Sequence, residues 1–138
     1  MQDIPWRISE TRDKFFRTEF AEIYQCVRPY TMCSYARLRS LHQAVEHVIH
    51  KKIPGDVVEC GAARGGSAAV MGLTLKAAMS HRKLFVFDTF EGLPSPTLAD
   101  PDYHIAIQLT GGFRAELAEV EEFFSRINIL ERSTLVKG

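Results

Sequence analysis

The sequence predicts an α/β fold built as one half of a doubly wound parallel sheet, and three observations carry this prediction. Two apolar segments, VV at residues 57–58 and LFVFD at residues 84–88, are typical of strands buried on both faces. A glycine turn, GAARGG, follows the first of them. Helical patterns separate the strands, and this βαβαβ alternation is typical of sheets with right-handed crossovers.

Two amphipathic helices are predicted before the first strand. In residues 11–27 apolar side chains recur at three- and four-residue steps, and Pro29 follows as a stop signal. Ser34 can cap a second helix, which Pro54 and Gly55 end. Its inward stripe comprises Leu38, Leu41, Val45, Val48 and Ile49. We assign residues 1–54 to an N-terminal helical segment and residues 55–138 to a sheet-forming half-domain.

The remaining elements follow in chain order after the glycine turn. Residues 67–79 predict a helix whose small residues permit close approach to a sheet, and HRK at residues 81–83 is expected to be a solvated connection. The strand LFVFD ends in an acid and leads into a proline-rich loop, LPSPTLADPD. A third amphipathic helix is predicted at residues 115–127 and a third strand at residues 133–136.

The composition is that of one ordinary globular domain, with 138 residues of which 46% are apolar and 25% charged. The 17 basic residues balance the 17 acidic residues, so no charge excess indicates nucleic acid or an anionic membrane as a partner. The first residues are charged and no run of about 18 apolar residues occurs. We therefore expect a cytosolic protein without a membrane span.

Cysteines and histidines offer no persuasive metal site. Cys26, Cys33 and Cys60 lack C-x-x-C spacing, which predicts reduced thiols rather than a disulfide framework or a zinc site. His42 and His50 lie eight residues apart on the second predicted helix, or roughly 12 Å at about 1.5 Å per residue, too far to share one ion. We expect these histidines and the intervening Glu46 to form a solvated helix face.

The glycine turn fits two ligand classes. Ligands of open parallel sheets bind beyond the carboxyl ends of the strands, where both the turn and Asp88 are expected. Gly61-x-Ala63-x-x-Gly66 is a degenerate dinucleotide fingerprint, with the helix N-terminus meant for a pyrophosphate. Glu59-x-Gly61-x-Ala63-x-Gly65 instead follows the E-x-G-x-G-x-G pattern of class I methyltransferases, with alanine at the middle glycine.

Charge favours the second class. The ammonium of S-adenosylmethionine can pair with Glu59, whereas a pyrophosphate near this carboxylate would cost about 1 kcal/mol or more. The turn amides, with Arg64, can receive the methionine carboxylate of the cofactor. Asp88 can accept from the two ribose hydroxyls of either ligand. A dinucleotide-binding oxidoreductase therefore stays as the less favoured alternative.

Longer motifs carry a resemblance to a known family. The segments are YTMCSYARL, PGDVVECGAARGGS, FDTFEGLP and LVKG. They resemble the TylF/macrocin O-methyltransferase family, which methylates sugar hydroxyls on macrolides and related natural products. The likeness runs from about residue 30 to the end of the chain.

The resemblance implies a Rossmann-like class I methyltransferase fold with three αβα layers, S-adenosylmethionine as donor and a small-molecule acceptor. It also implies Mg²⁺ in full-length members. It places the methionine end of the cofactor against Glu59, Cys60, Gly61, Arg64, Gly65, Gly66 and Ser67. It places ribose and adenine among Asp88, Thr89, Phe90, Glu91 and Gly92. Thr31 and Met32 fall in a segment that closes over the site, and Arg39 and Ser40 are further expected cofactor contacts.

The sequence departs from the family in two ways. Ala63, also in the expected cofactor site, stands where a bulky aromatic is usual. The chain ends before the aspartates that bind the metal, and Asp100 and Asp102 lie in the wrong place to replace them. No residue is a persuasive general base, and His104 is expected to be a solvated loop residue.

A sheet truncated after about the third strand would leave residues 57–60 as an unpaired apolar edge. We expect either a missing C-terminal half or a homo-oligomer that covers this edge, and the chain alone to be oligomeric or poorly soluble. The alternative to an O-methyltransferase is a noncatalytic S-adenosylmethionine-binding or assembly module.

Overall fold

The computed structural model describes residues 18–138. The helices are α1 (Glu19–Val27), α2 (Tyr35–His50), α3 (Gly66–Ala77), the single turn α4 (Tyr103–Ala106) and α5 (Leu117–Arg126). The strands are β1 (Val57–Cys60), β2 (Leu84–Asp88) and β3 (Ser133–Lys137). Short 3₁₀ turns occupy Arg28–Tyr30, Ile107–Leu109 and Leu130–Arg132. No helix in this part of the chain is long and apolar enough to cross a membrane.

The two N-terminal helices begin at side-chain caps. Thr18 is extended, with ψ of 154°, and its hydroxyl accepts from the amide of Ala21 at 3.3 Å. The prediction of an unbroken helix over residues 11–27 is therefore wrong at Thr18, and residues 11–17 lie outside the described range. Ser34 caps α2 as predicted, because its hydroxyl accepts from the Arg37 amide at 3.4 Å.

The three strands form a parallel sheet in the order β1-β2-β3, which confirms the predicted α/β class. Val57 lies opposite Leu84, and Leu84 lies opposite Ser133. Each strand thus pairs with the next one along the chain through a helical crossover, α3 for the first pair and α5 for the second. The carboxyl ends of all three strands consequently meet at one edge of the sheet.

Within residues 18–138, helices cover one face of the sheet and leave the other uncovered. Leu84 and Val86 are fully buried beneath the helices, whereas Val58 on the opposite face is 56% exposed and Phe87 is 40% exposed. Successive right-handed crossovers in one direction place their helices on the same face, which explains the difference. The prediction that β1 is buried on both faces is therefore wrong for residues 18–138.

His42 is buried rather than solvated, so the predicted solvated face is wrong at this position. It is 6% exposed, and its Nδ1 lies 2.8 Å from the Thr74 hydroxyl on α3. Thr74 donates its only proton to the Val70 carbonyl at 2.7 Å, so Nδ1 of His42 is the donor in this pair. Glu46 and His50 are exposed as predicted. The His42–Thr74 bond links α2 to α3.

Basic side chains stabilise the end of the sheet opposite the glycine turn. Lys76 donates to the Ile127 carbonyl at 3.3 Å and Arg132 to the Ser80 carbonyl at 3.1 Å. Arg82 donates to the carbonyls of Ile53 and Gly55. The segment HRK is thus more than a solvated connection, because Arg82 satisfies backbone groups before β1.

A one-turn helix lies where the sequence predicts only loop. Residues of the proline-rich segment fold back so that the Leu93 amide donates to the Gly112 carbonyl at 3.0 Å. The Gly111 amide donates to the Leu93 carbonyl at 2.8 Å. These two hydrogen bonds close the long loop between β2 and α5, and α4 lies within this loop.

We predict that Thr74→Val lowers the free energy of unfolding by about 1–3 kcal/mol, because it leaves the buried Nδ1 of His42 without an acceptor. His42→Phe should lose a similar amount. The double variant should lose less than the sum of the two, and urea denaturation of all four proteins measures this coupling. Strictly additive losses would contradict the hydrogen bond.

We also predict that the chain self-associates through the bare face and the free edge of β1, which finds no second strand within residues 18–138. Val58→Lys places a charge on that face and should shift sedimentation toward the monomer. Gln43→Lys, on an exposed position of α2, is the matched control. A sharp monomer boundary for the unmodified chain at micromolar concentration would refute the prediction.

Candidate functional site

A cleft of about 580 Å³ opens at the carboxyl ends of the three strands. Its lining is mostly apolar, with Asp88 as its one charged side chain among the described residues. Six of the predicted cofactor residues line it, namely Met32, Gly61, Ala63, Asp88, Thr89 and Gly92. This is the position that the topology predicts for a ligand of an open parallel sheet.

The glycine turn begins at Gly61, which the strand ladder holds in place. Its amide donates to the Phe87 carbonyl at 2.8 Å and so extends the pairing of β1 with β2. Its φ of +88° favours glycine, and a Cβ at this position would meet no atom within 4 Å. The space next to Gly61 is open and belongs to the cleft.

Gly65 and Gly66 serve packing within the protein. A Cβ on Gly66 would lie 2.5 Å from the Tyr30 carbonyl oxygen and 2.6 Å from Cβ of Thr31. A Cβ on Gly65 would lie 3.0 Å from side-chain atoms of Val120 and Phe124 on α5. These two glycines therefore let the chain before α2 and the helix α5 approach the start of α3.

Asp88 joins the glycine turn to the loop after β2. Its Oδ2 accepts from the Ala63 amide and its Oδ1 from the Phe90 amide, both at 2.8 Å. Ala63 and Phe90 have positive φ values of 48° and 54°, which non-glycine residues seldom adopt. The carboxylate thus holds two strained residues, and Asp88 itself is half-buried where it lines the cleft.

Glu59 lies beneath the turn, outside the lining of the cleft. Burial raises the pKa of its carboxyl, interactions with the Ser67 hydroxyl and the Ala68 amide lower it, and the charge of Asp88 raises it. Its Oε2 is buried without a hydrogen-bond partner in the described part of the chain. The structure therefore brings Glu59 and Ser67 together at the first turn of α3.

Arg64 lies on the other side of the turn, where a second cavity of about 240 Å³ separates it from α5. Tyr30 and Phe123 stack there with ring centroids 3.8 Å apart, and the Arg126 guanidinium lies 5.4 Å from the centre of the Tyr30 ring. Arg64 lines this cavity and not the larger cleft.

The other predicted contacts occupy varied positions around the cleft. Phe90 is buried, and Glu91 pairs with Lys137 at 3.0 Å, which lowers the pKa of its carboxyl. Cys60 is exposed on the bare face of the sheet, at the end of β1. Arg39 and Ser40 lie on α2, outside the lining of the cleft. Met32 is 65% exposed at the cleft and so does not pack in the core.

Six lining residues were not predicted from the sequence, namely Phe87, Leu93, Gly112, Phe113, Val136 and Gly138. Val136 and Gly138 lie at the carboxyl end of β3, so the rule that selected Asp88 could have found them. Gly112 and Phe113 approach the cleft through the Leu93–Gly112 hydrogen bond. That contact joins residues 19 positions apart and leaves no local signal in the sequence.

The described residues do not form a metal centre. Nowhere in residues 18–138 do three His, Cys, Asp or Glu side chains converge as metal ligands. Asp100 accepts from the Thr97 amide at 2.7 Å and from the Thr97 hydroxyl at 3.0 Å, which closes a local turn. Mg²⁺ remains a prediction for the family, and we assign it no role in the geometry described here.

Residues 15–138 match the family model described as macrocin-O-methyltransferase (TylF). The chain belongs to this family. The match begins upstream of residue 30, where the sequence motifs first resemble the family, and it takes in α1. The predicted recognition is thereby confirmed.

Curated members of the family methylate natural products according to their names. The chain is 33% identical over 123 residues to the mycinamicin III 3''-O-methyltransferase of Micromonospora griseorubida, covering 82% of this chain and 46% of that protein. It is 41% identical over 66 residues to the demethyldecarbamoylnovobiocin O-methyltransferase of Streptomyces niveus, covering 47% of this chain and 25% of that protein. The chain thus spans at most about half the length of these relatives.

A solved structure shows the same fold. The O-methyltransferase NovP superposes with a TM-score of 0.73 at 31% identity, over 79% of this chain and 47% of NovP. The predicted class I methyltransferase fold is therefore confirmed for the part that the chain contains. The division into segments 1–54 and 55–138 stays a prediction.

We predict that Gly66→Ala lowers the free energy of unfolding by about 3 kcal/mol, because its Cβ would collide with the Tyr30 carbonyl. Gly61→Ala should cost only about 1 kcal/mol, from its positive φ. Gly55→Ala, at another positive-φ glycine with open space around it, is the control for that backbone cost. Urea denaturation measures all three, and equal losses at Gly61 and Gly66 would be inconsistent with the packing described.

Proposed function

We propose that this chain carries the cofactor-binding half of an S-adenosylmethionine-dependent O-methyltransferase that acts on a hydroxyl of a sugar-bearing natural product. Family membership and the names of the relatives support the reaction class. The three cysteines are unpaired, which supports a reducing, cytosolic location. The acceptor is a small molecule on this proposal.

One observation carries the proposal. The Asp88 carboxylate and the open space beside Gly61 both belong to the cleft, at the carboxyl ends of adjacent strands. A carboxylate at the end of β2 suits the two ribose hydroxyls of an adenosine. The apolar walls supplied by Phe87, Phe113 and Val136 suit an adenine ring. The cleft volume of about 580 Å³ is within the range for small-molecule sites.

The start of α3 supports a ligand that carries a carboxylate. Gly65 is the N-cap of α3 and supplies no side-chain hydrogen bond, so no capping side chain occupies the amides of Gly66 and Ser67. The predicted help from Arg64 receives no support, because its side chain lines the second cavity.

A pyrophosphate suits this helix end less well. The carboxylate of Glu59 lies against Ser67 and Ala68 and places negative charge at the first turn of α3. A doubly charged group there would be repelled, whereas a zwitterionic amino acid end brings an ammonium as well. Glu59 therefore disfavours a dinucleotide ligand in the structure, as it also does in the sequence pattern.

The residues of this chain position the donor. When bound, the cofactor supplies an electrophilic methyl group for in-line displacement by an acceptor oxygen. Asp88 fixes the ribose end and α3 fixes the amino acid end, so the sulfur between them is held in one place. A noncatalytic module that only binds the cofactor would have the same cleft. An assay of methyl transfer by the intact protein distinguishes this module from the enzyme.

We predict that the protein binds S-adenosylhomocysteine in isothermal titration calorimetry and does not bind NADH. Asp88→Asn removes a charged acceptor and should weaken binding about tenfold or more. Gly61→Val, which fills the open space of the cleft, should weaken it as well. Gly55→Val is the matched positive-φ control outside the cleft and should bind normally. Binding of NADH without S-adenosylhomocysteine would overturn the proposed cofactor.

A further inference from the structure

Basic side chains surround a separate cavity of about 320 Å³ at the amino ends of β2 and β3. It lies between the end of α3, the connection before β2 and the segment that joins α5 to β3. The cofactor cleft opens at the carboxyl ends of the same strands. Because each strand is five residues long, roughly 15 Å of sheet separates the two cavities.

The charges around this cavity do not balance. Its lining within residues 18–138 holds one carboxylate, that of Glu131, and four cationic side chains, namely Lys76, Arg82, Lys83 and Arg132. The whole chain has equal numbers of basic and acidic residues, so this excess of positive charge is local. Like charges gathered around one cavity repel one another, and an anion bound between them would relieve the repulsion.

Main-chain carbonyls hold the two lysines at the cavity. Lys76 donates to the Ile127 carbonyl at 3.3 Å, and Lys83 donates to the Glu131 carbonyl at 3.4 Å. The ion pairs described within residues 18–138 include neither lysine. Because a carbonyl is a neutral acceptor and engages only one N–H of each ammonium, the charge and most of the donors stay available to a ligand.

The two arginines are held in the same way and are half-buried. Arg132 donates to the Ser80 carbonyl at 3.1 Å, and Arg82 donates to the carbonyls of Ile53 and Gly55. These bonds fix both guanidinium groups at the cavity before a ligand arrives, so binding would cost little side-chain freedom. The remaining N–H groups of a guanidinium suit the oxygens of a phosphate.

We propose that this cavity binds a small molecule that carries a phosphate ester, at a site separate from the cofactor cleft. A phosphate group brings about two negative charges and several strong acceptor oxygens, which suits cations that approach from three segments of the chain. The cavity is larger than a phosphate ion needs and lies at the lower end of the range for small-molecule sites. Space therefore remains for the group that carries the phosphate.

The surroundings of the cavity favour a compact anion over a nucleic acid. A polyanion needs a basic surface that continues along several phosphates. Here acidic side chains accompany the cations, since the Asp56 carboxylate accepts from the Lys83 amide at 2.8 Å and Glu131 lines the cavity itself. A long backbone of phosphates would be repelled by these acids, whereas a single phosphate group fits between the cations.

Isothermal titration calorimetry at matched ionic strength, with chloride as the competing anion, tests the site. Glucose 1-phosphate should bind at least about threefold more tightly than inorganic phosphate. The double variant Lys76→Gln, Lys83→Gln should weaken binding about tenfold or more, because it removes two charged donors. The matched control is Lys51→Gln, Lys52→Gln, which removes the same charge from two exposed lysines outside the cavity and should leave the affinity within about twofold.

Three results would overturn the proposal. Glucose 1-phosphate would fail to bind the unmodified protein, or would bind no more tightly than inorganic phosphate. The two double variants would lose affinity equally, which would show an effect of net charge alone. A single-stranded oligonucleotide would bind more tightly than glucose 1-phosphate at the same ionic strength, which would assign the surface to nucleic acid.

Further measurements keep the test independent of folding and of the cofactor. Circular dichroism shows whether the double variants fold, and if Lys76→Gln, Lys83→Gln does not, Lys83→Gln alone should weaken binding about threefold. S-adenosylhomocysteine should not compete with glucose 1-phosphate, because their sites lie at opposite ends of the strands. Competition would place the phosphate in the cofactor cleft and refute the separate site. Since the titrations need no cofactor, they remain decisive even if S-adenosylhomocysteine does not bind.

Discussion

The hydrogen bond from the Ala63 amide to the Asp88 carboxylate is the interaction on which the cleft depends. It joins the loops that leave β1 and β2, and the strand pairing continues up to it through the bond from Gly61 to Phe87. The same carboxylate accepts from Phe90 and so fixes the loop that follows β2. Without this carboxylate, Ala63 at the cleft and the buried Phe90 would each lose the hydrogen bond that offsets their unfavourable backbone angles.

The glycines of the turn meet different demands although they look alike in the sequence. Gly61 has a left-handed backbone conformation and borders empty space, so a ligand can approach its backbone closely. Gly66 is pressed against the backbone of Tyr30 and permits the segment before α2 to dock. The glycine motif that is typical of the family therefore serves packing within the protein as well as cofactor binding.

Much of the fold could be predicted from sequence because its signals are local. Ser34 and the prolines mark helix ends, and the apolar run LFVFD coincides with β2 at both ends. The carboxyl-end rule then selects Asp88 without knowledge of any tertiary contact. Burial was harder to predict, since the exposure of Val58 depends on which face the crossovers cover. His42 was misjudged for a related reason, because its partner Thr74 is 32 positions away.

The direction of side chains at the site could not be read from the pattern. Residues in a strand alternate between faces, so the position of Glu59 relative to the cleft is fixed by register with β2. The surroundings of Arg64 depend on where α5 packs. The position of α5 in turn depends on the long folded loop that connects it to β2. A motif states which residues are near one another and leaves open which of them meet the ligand.

The order of the strands along the sheet has a consequence for how the protein is made. Because β1, β2 and β3 pair in the order of synthesis, each new strand finds its partner already present. The layer of helices on one face can therefore assemble progressively while the chain leaves the ribosome. The opposite face has no helix over it within residues 18–138, so the nascent sheet exposes the apolar side chains of Val58 and Phe87 from the moment that β2 pairs.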